Sequence, residues 1–192
     1  MLTQRTVRMS RAWAMPSSET FSIPPIAEFL GRWLPGNGAV IVDPFARNSK
    51  VGTITNDLNP ETSAEFHMEC EDFLAMLIER GVRADVVILD PPYSPRQVKE
   101  CYNGIGRAMK TEDAWGGAVR KRRRALIEQM VADDAVVLTF GWDTNGMGRG
   151  WSIHEILIVA HGSDHNDTIC MAERKSPTLF ETRALTHSKV KP

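Results

Sequence analysis

Nothing in these 192 residues supports a disulfide framework or a zinc site. The three cysteines, Cys70, Cys101 and Cys170, are isolated and odd in number, with no C-x-x-C pair and no Cys/His ligand spacing. Free thiols in or near a core are the expected outcome. No apolar run approaches the roughly 20 residues that a membrane helix needs, and Met1 to Arg11 is polar and charged with no apolar segment behind it. Neither export nor membrane insertion is indicated, so a cytoplasmic location is expected. Net charge is scarce as well. At a formal −1, attraction to nucleic acid has to come from local patches, not from the field of the whole molecule. His154, His161 and His165 cluster around a strand-turn segment, where packing and surface roles outnumber ligation; no metal is expected. There is no internal repeat and no low-complexity tract, and the length suits one domain over residues 1–192 with a substantial core.

What is present is an alternation of elements. Residues 1–19 read as an irregular polar arm. Pro24 to Leu34 reads as a helix, with prolines at its start and Ile26, Phe29, Leu30 and Trp33 at helical spacing. Ala39 to Val42 is a short strand ending in Asp43, Thr53 to Thr55 a second, and Phe66 to Glu69 a third. Asp72 to Arg80 carries a helical stripe of Phe73, Leu74, Leu77 and Ile78 that stops at Gly81. Strand Val86 to Leu89 follows, then a polar loop over residues 94–118, a helix from Val119 to Val131 and a strand from Ala135 to Phe140. Glu155 to Ala160 and Thr168 to Ala172 read as a hairpin, and residues 176–192 as a tail. Strands alternating with helices predict an α/β fold with a mostly parallel sheet, into which the hairpin brings one antiparallel strand.

In such a sheet the site lies beyond the carboxyl ends of the strands, and the run Asp85 to Leu89 ends there in Asp90-Pro91-Pro92-Tyr93. Consecutive prolines fix φ and lack N–H groups, leaving stiff backbone with carbonyls free to accept. An Asp carboxylate and a Pro carbonyl can together accept both hydrogens of an amino group, and Tyr offers a flat face for a base. A turn alone would also use Asp and Pro. Position after a buried strand favours the functional reading.

The tetrapeptide resembles the catalytic motif of the S-adenosylmethionine-dependent DNA amino-methyltransferases, in the form used most often for adenine N6. The resemblance implies a class I, Rossmann-like methyltransferase fold over about residues 16–175, with Asp90, Pro91, Pro92 and Tyr93 catalytic and S-adenosylmethionine as cofactor. Further segments support it. Thr20, Phe21 and Ile23, before the first helix, are similar to the motif at the methionine end of the cofactor. Asp43-Pro44-Phe45-Ala46 resembles the start of Asp-Pro-Phe-x-Gly-x-Gly, Asp57-Leu58 stands where the family places an acid on the ribose, and Glu71-Asp72-Phe73 where it meets the adenine. DNA is the partner this implies, with RNA adenine, cytosine N4 and a non-catalytic nucleic-acid-binding subunit as alternatives; a small phage-type enzyme is the nearest analogy.

The chain departs from that pattern at Arg47-Asn48-Ser49, where glycines are usual; Arg47 and Ser49 are expected to point away from the cofactor. Only Pro44 to Gly52 separates Asp43 from the next strand, so the first crossover helix is expected to be shortened or absent. For the target, Ser94, Arg96, Gln97 and Tyr102 resemble the continuation seen in phage adenine methyltransferases and are expected to fold over an extruded base. The run Arg120-Lys121-Arg122-Arg123-Arg124 is expected to contact phosphates, since adjacent cations repel one another without an anionic partner. No segment of domain size is left to read a long target, which predicts low or very short sequence specificity.

Overall fold

The structure, a computed structural model, describes residues 6–109, 116–162 and 164–176. Seven strands form one sheet in the order β1-β6-β7-β5-β4-β2-β3: β1 is Arg8–Trp13, β2 Ile41–Asp43, β3 Ile54–Thr55, β4 Ala84–Leu89, β5 Val131–Gly141, β6 Trp151–Ala160 and β7 Thr168–Lys175. Strand β7 runs antiparallel to both β5 and β6, and every other pairing is parallel. The mixed sheet is the one expected.

Alternation along the strands builds the two layers. Val86 and Ile88 of β4, with Val136, Leu138 and Phe140 of β5, face helix α1 (Pro24–Trp33) and its buried Ile26, Phe29 and Leu30. Val87, Leu89 and Val137 face the opposite way, onto α2 (Cys70–Glu79) and α4 (Gly117–Met130), through Phe73, Leu74, Leu77, Ile127 and Met130. Apolar burial on both faces is what keeps a parallel sheet dry. Among the described residues no helix is long and apolar enough to cross a membrane.

Several expectations need correction. The polar arm contains β1, which pairs in parallel with β6 from Arg8↔Glu155 to Trp13↔Ala160. Only Ser10 and Ala12 are half-buried in that strand, so backbone pairing and not an apolar face defines it. Phe66 to Glu69 is no strand; a single bridge from Phe66 to Asn56 is all that forms. The loop after Tyr93 opens as a helix, α3 (Pro95–Gly104), with Pro95 in its first turn and the Ser94 hydroxyl accepting from the Gln97 N–H at 3.2 Å. Residues 110–115 of that loop and 177–192 of the tail lie outside the described residues.

The connection from β2 to β3, residues 44–53, has no helix, as its length predicted. Gly52 makes the short path possible. A Cβ there would stand 2.8 Å from the Asp43 Cβ, so only glycine lets the returning chain cross the end of β2.

Candidate active site

Asp43, Asp57 and Asp90 gather at the carboxyl ends of β2, β3 and β4, because parallel neighbours end on the same side of the sheet. Asp43 is 0 % exposed. Its Oδ1 accepts from the Phe45 N–H at 3.1 Å, and its Oδ2 is buried without a partner. Burial, and then the nearby charges of Asp90 and Asp57, push its carboxyl up to about 7 against the single opposing bond from Phe45. Asp57 holds the loop above it: its Oδ2 accepts from the Arg47 N–H at 3.1 Å and its Oδ1 from Asn59 N–H at 2.8 Å.

Two cavities meet over these ends. The larger, about 370 Å3, is walled by residues 18–22 on one side and by Phe45, Ala46, Arg47, Ser49 and Asp90 on the other. The smaller, about 240 Å3, is lined by Ile23, Tyr93, Gln97, Trp142 and His161 among others, and Thr20 belongs to both. Asp90 therefore faces one space and Tyr93 the next. The Tyr93 hydroxyl donates to Asp90 Oδ1, and its ring lies 5.6 Å from that of Trp142 at an interplanar angle of 57°. Burial raises the Asp90 carboxyl, outweighing the hydrogen bonds from Tyr93 and Thr20 and the Arg47 charge. Burial also raises the Tyr93 phenol, helped by the Asp90 charge, so it remains a donor.

Of the residues expected to hold a cofactor, Thr20, Phe21, Phe45 and Ala46 line the larger cavity, Ile23 the smaller, and Pro44 fixes the loop by accepting from the Asn56 amide at 3.1 Å. Leu58 is half-buried in the turn that follows Asp57. Glu71, Asp72 and Phe73 are not brought to either cavity. Phe73 is 0 % exposed and packs on Phe66, Asp72 is exposed in the first turn of α2, and Glu71 is taken by Arg123 at 3.1 Å. Core packing of α2 thus claims the ring expected on the adenine face.

The target-contact set divides in the same way. Gln97 accepts from the Tyr93 N–H at 2.6 Å, which pins the backbone of the turn after β4 to α3. The Tyr102 hydroxyl donates to Glu69 at 2.6 Å, and Arg96 pairs with Glu100 at 2.8 Å. Within the basic run, Arg123 lies over the Phe45 ring at 5.0 Å besides its bond to Glu71. Arg120 pairs with Asp143, and Arg124 donates to the Asn145 carbonyl. Lys121 and Arg122 are the exposed members.

The expectation for the loop after Asp43 fails at two positions: Arg47 and Ser49 line the larger cavity and do not point away from it. The wall contributed by Ser18 and Glu19 carried no pattern in the sequence. Trp142 stands beside Tyr93 just past the end of β5, a position that gave a usable signal.

No protein-family model matches the chain, and no curated protein matches it. Solved structures do. One is titled "Putative methyltransferase yhhF from Escherichia coli", at 13 % identity and a TM-score of 0.52, covering 85 % of this chain and 92 % of that one. Another is NSun6 from Pyrococcus horikoshii with SFG, at 12 % identity and a TM-score of 0.51, covering 79 % of this chain and 50 % of that one. At such identity the likeness lies in the path of the backbone: the chain has the Rossmann-like methyltransferase fold.

Proposed function

We propose that this chain moves a methyl group from S-adenosylmethionine to the exocyclic amine of a base, N6 of adenine in DNA, with low or very short sequence specificity. The observation that carries the reading is the meeting of the two cavities at the end of β4, with Asp90 on one wall, Tyr93 on the other and Thr20 shared. A donor and an acceptor must approach one point from separate spaces, and this arrangement supplies both.

The residues fit the cofactor. The larger cavity has the size of a small-molecule site and combines aromatic, hydroxyl and charged walls, while the orphaned Asp43 Oδ2 lies buried behind its loop. Thr20, Phe21, Phe45 and Ala46 would hold the cofactor there. Each Asp57 oxygen already accepts one backbone N–H and keeps a lone pair for a ribose hydroxyl. When bound, the cofactor supplies a methyl group made electrophilic by its sulfonium.

The chain's own part is positioning. The Asp90 carboxylate and the Pro91 carbonyl accept the two amino hydrogens, which aims the nitrogen lone pair at the larger cavity. The Tyr93 hydroxyl keeps the buried carboxylate satisfied through Oδ1, and the carboxylate retains lone pairs for an amino hydrogen. The Tyr93 ring, beside Trp142 on the smaller cavity, offers its face to the incoming base. The exposed Lys121 and Arg122 serve the phosphates of the DNA.

Transfer of labelled methyl from S-adenosylmethionine to DNA and to RNA tests the reading. Label at adenine N6 of DNA is expected. Label in RNA alone would move the substrate, and no cofactor binding at millimolar concentration would end the enzyme reading.

A further inference from the structure

At the position the methyltransferase pattern fills with its first glycine, this chain carries Arg47, and its backbone takes a conformation that favours glycine. Arg47 sits at φ 49°, the one non-glycine in the left-handed region among the described residues. Glycine adopts that conformation without steric cost and arginine does not. Such strain persists where neighbours over-determine it, and it concentrates at ligand sites. Here the neighbours are Asp57, which accepts the Arg47 N–H at 3.1 Å, and Ser18, whose carbonyl accepts from Nη1 at 2.5 Å.

Both Arg47 and Ser18 wall the larger cavity, together with Glu19 and Asp90. A space lined by one cationic and two acidic residues suits a zwitterion better than a simple anion. The missing helix sharpens the point. In parallel β-α-β units the helix after the first strand turns its positive end toward bound anions. Residues 44–53 contain no helix, so that attraction is absent, and Arg47 sets a full charge where the partial one would stand.

We propose that Arg47 receives the carboxylate at the methionine end of the cofactor, exchanging its bond to the Ser18 carbonyl for a charge-assisted pair with the ligand. The assignment rests on the methyl-transfer reading above. It gives the glycine-poor loop a positive role, with backbone ease exchanged for a specificity contact.

Calorimetric titration with S-adenosylmethionine and with its decarboxylated analogue, which lacks only the carboxylate, tests it on the wild-type chain and on R47Q and R47G. The wild type is expected to prefer the intact cofactor at least tenfold. Both variants should lose that preference through weaker binding of the intact cofactor, with binding of the analogue unchanged. Thermal unfolding supplies the control: R47G should unfold at or above the wild-type temperature, because glycine relieves the left-handed backbone. A preference that survives R47Q, its absence in the wild type, or equal losses for both ligands would overturn the assignment. A wild-type chain that binds neither ligand would remove the methyl-transfer reading, and the role of Arg47 with it.

Discussion

Asp43 and Asp90 end neighbouring strands as carboxyl groups that burial holds above their ordinary range, and each makes a separate claim on pH. For Asp43 the folded value is about 7 against 3.8 for the free side chain. Between those values the folded chain keeps a proton that the unfolded chain releases. Stability from this group is therefore fullest below 3.8, falls as pH rises toward 7 and is flat above. Asp43→Asn should remove that slope and raise stability at pH 8 by on the order of 4 kcal/mol relative to its effect at acid pH. Urea unfolding of both proteins at several pH values measures it. Under the proposed methyl transfer Asp90 accepts amino hydrogens as a carboxylate, so the acid limb of transfer should lie above the ordinary carboxylate value of 3.8. Asp90→Ala should abolish transfer and leave cofactor affinity within a few fold, read by labelled-methyl transfer beside calorimetry. These residues were legible because each closes an apolar run, and a run announces its own end. The Arg123–Glu71 pair was not, since it spans two helices that only folding brings side by side.

At the scale of elements, helix α4 does two jobs that its run of five cations concealed. One side locks it to α2 and Phe45 through Arg123 and buries Ile127 and Met130; the other carries Lys121 and Arg122 into solvent. Helical spacing separates these roles within a block that looks uniform in one dimension. Neutralising Lys121 and Arg122 together should weaken binding to every DNA sequence alike and lower the slope of log affinity against log salt by about two. Fluorescence anisotropy over a salt series gives that slope. Ile127→Ala should instead cost about 2 to 5 kcal/mol of stability by opening a cavity between α2 and α4, seen in chemical unfolding. The same contrast explains what was missed after Tyr93. Helix α3 buries only Val98, so no stripe marked it, although Ser94-Pro95 carried the start signal.

For the molecule as a whole, one buried carboxylate joins three elements at the edge of the sheet. Glu155 of β6 accepts from Arg32 at 2.7 Å and from the Trp33 indole at 2.8 Å, both in α1, while Arg8 of β1 stands 3.7 Å away. Burial works to raise its carboxyl, but the bonds from Arg32 and Trp33 prevail and hold it below the usual range. Its contribution is present above the ordinary value of 4.5 and is lost as pH falls through the lower folded value. Removing residues 1–13 should lower the unfolding temperature and promote association, because β6 would become an open edge between chains. Thermal scans and light scattering read the two effects. Little of this edge was visible beforehand. A strand whose only half-buried residues are Ser10 and Ala12 leaves no apolar trace, and its pairing depends on residues far along the chain.

That distance has a consequence in time. The register Arg8↔Glu155 joins β1 to a strand that follows every other strand but β7 along the chain. Pairs closer in sequence, such as β2 and β4, can form while β1 still waits for its neighbour. β1 can take its native place only once the residues of β2 to β5 have been made and β6 has followed them.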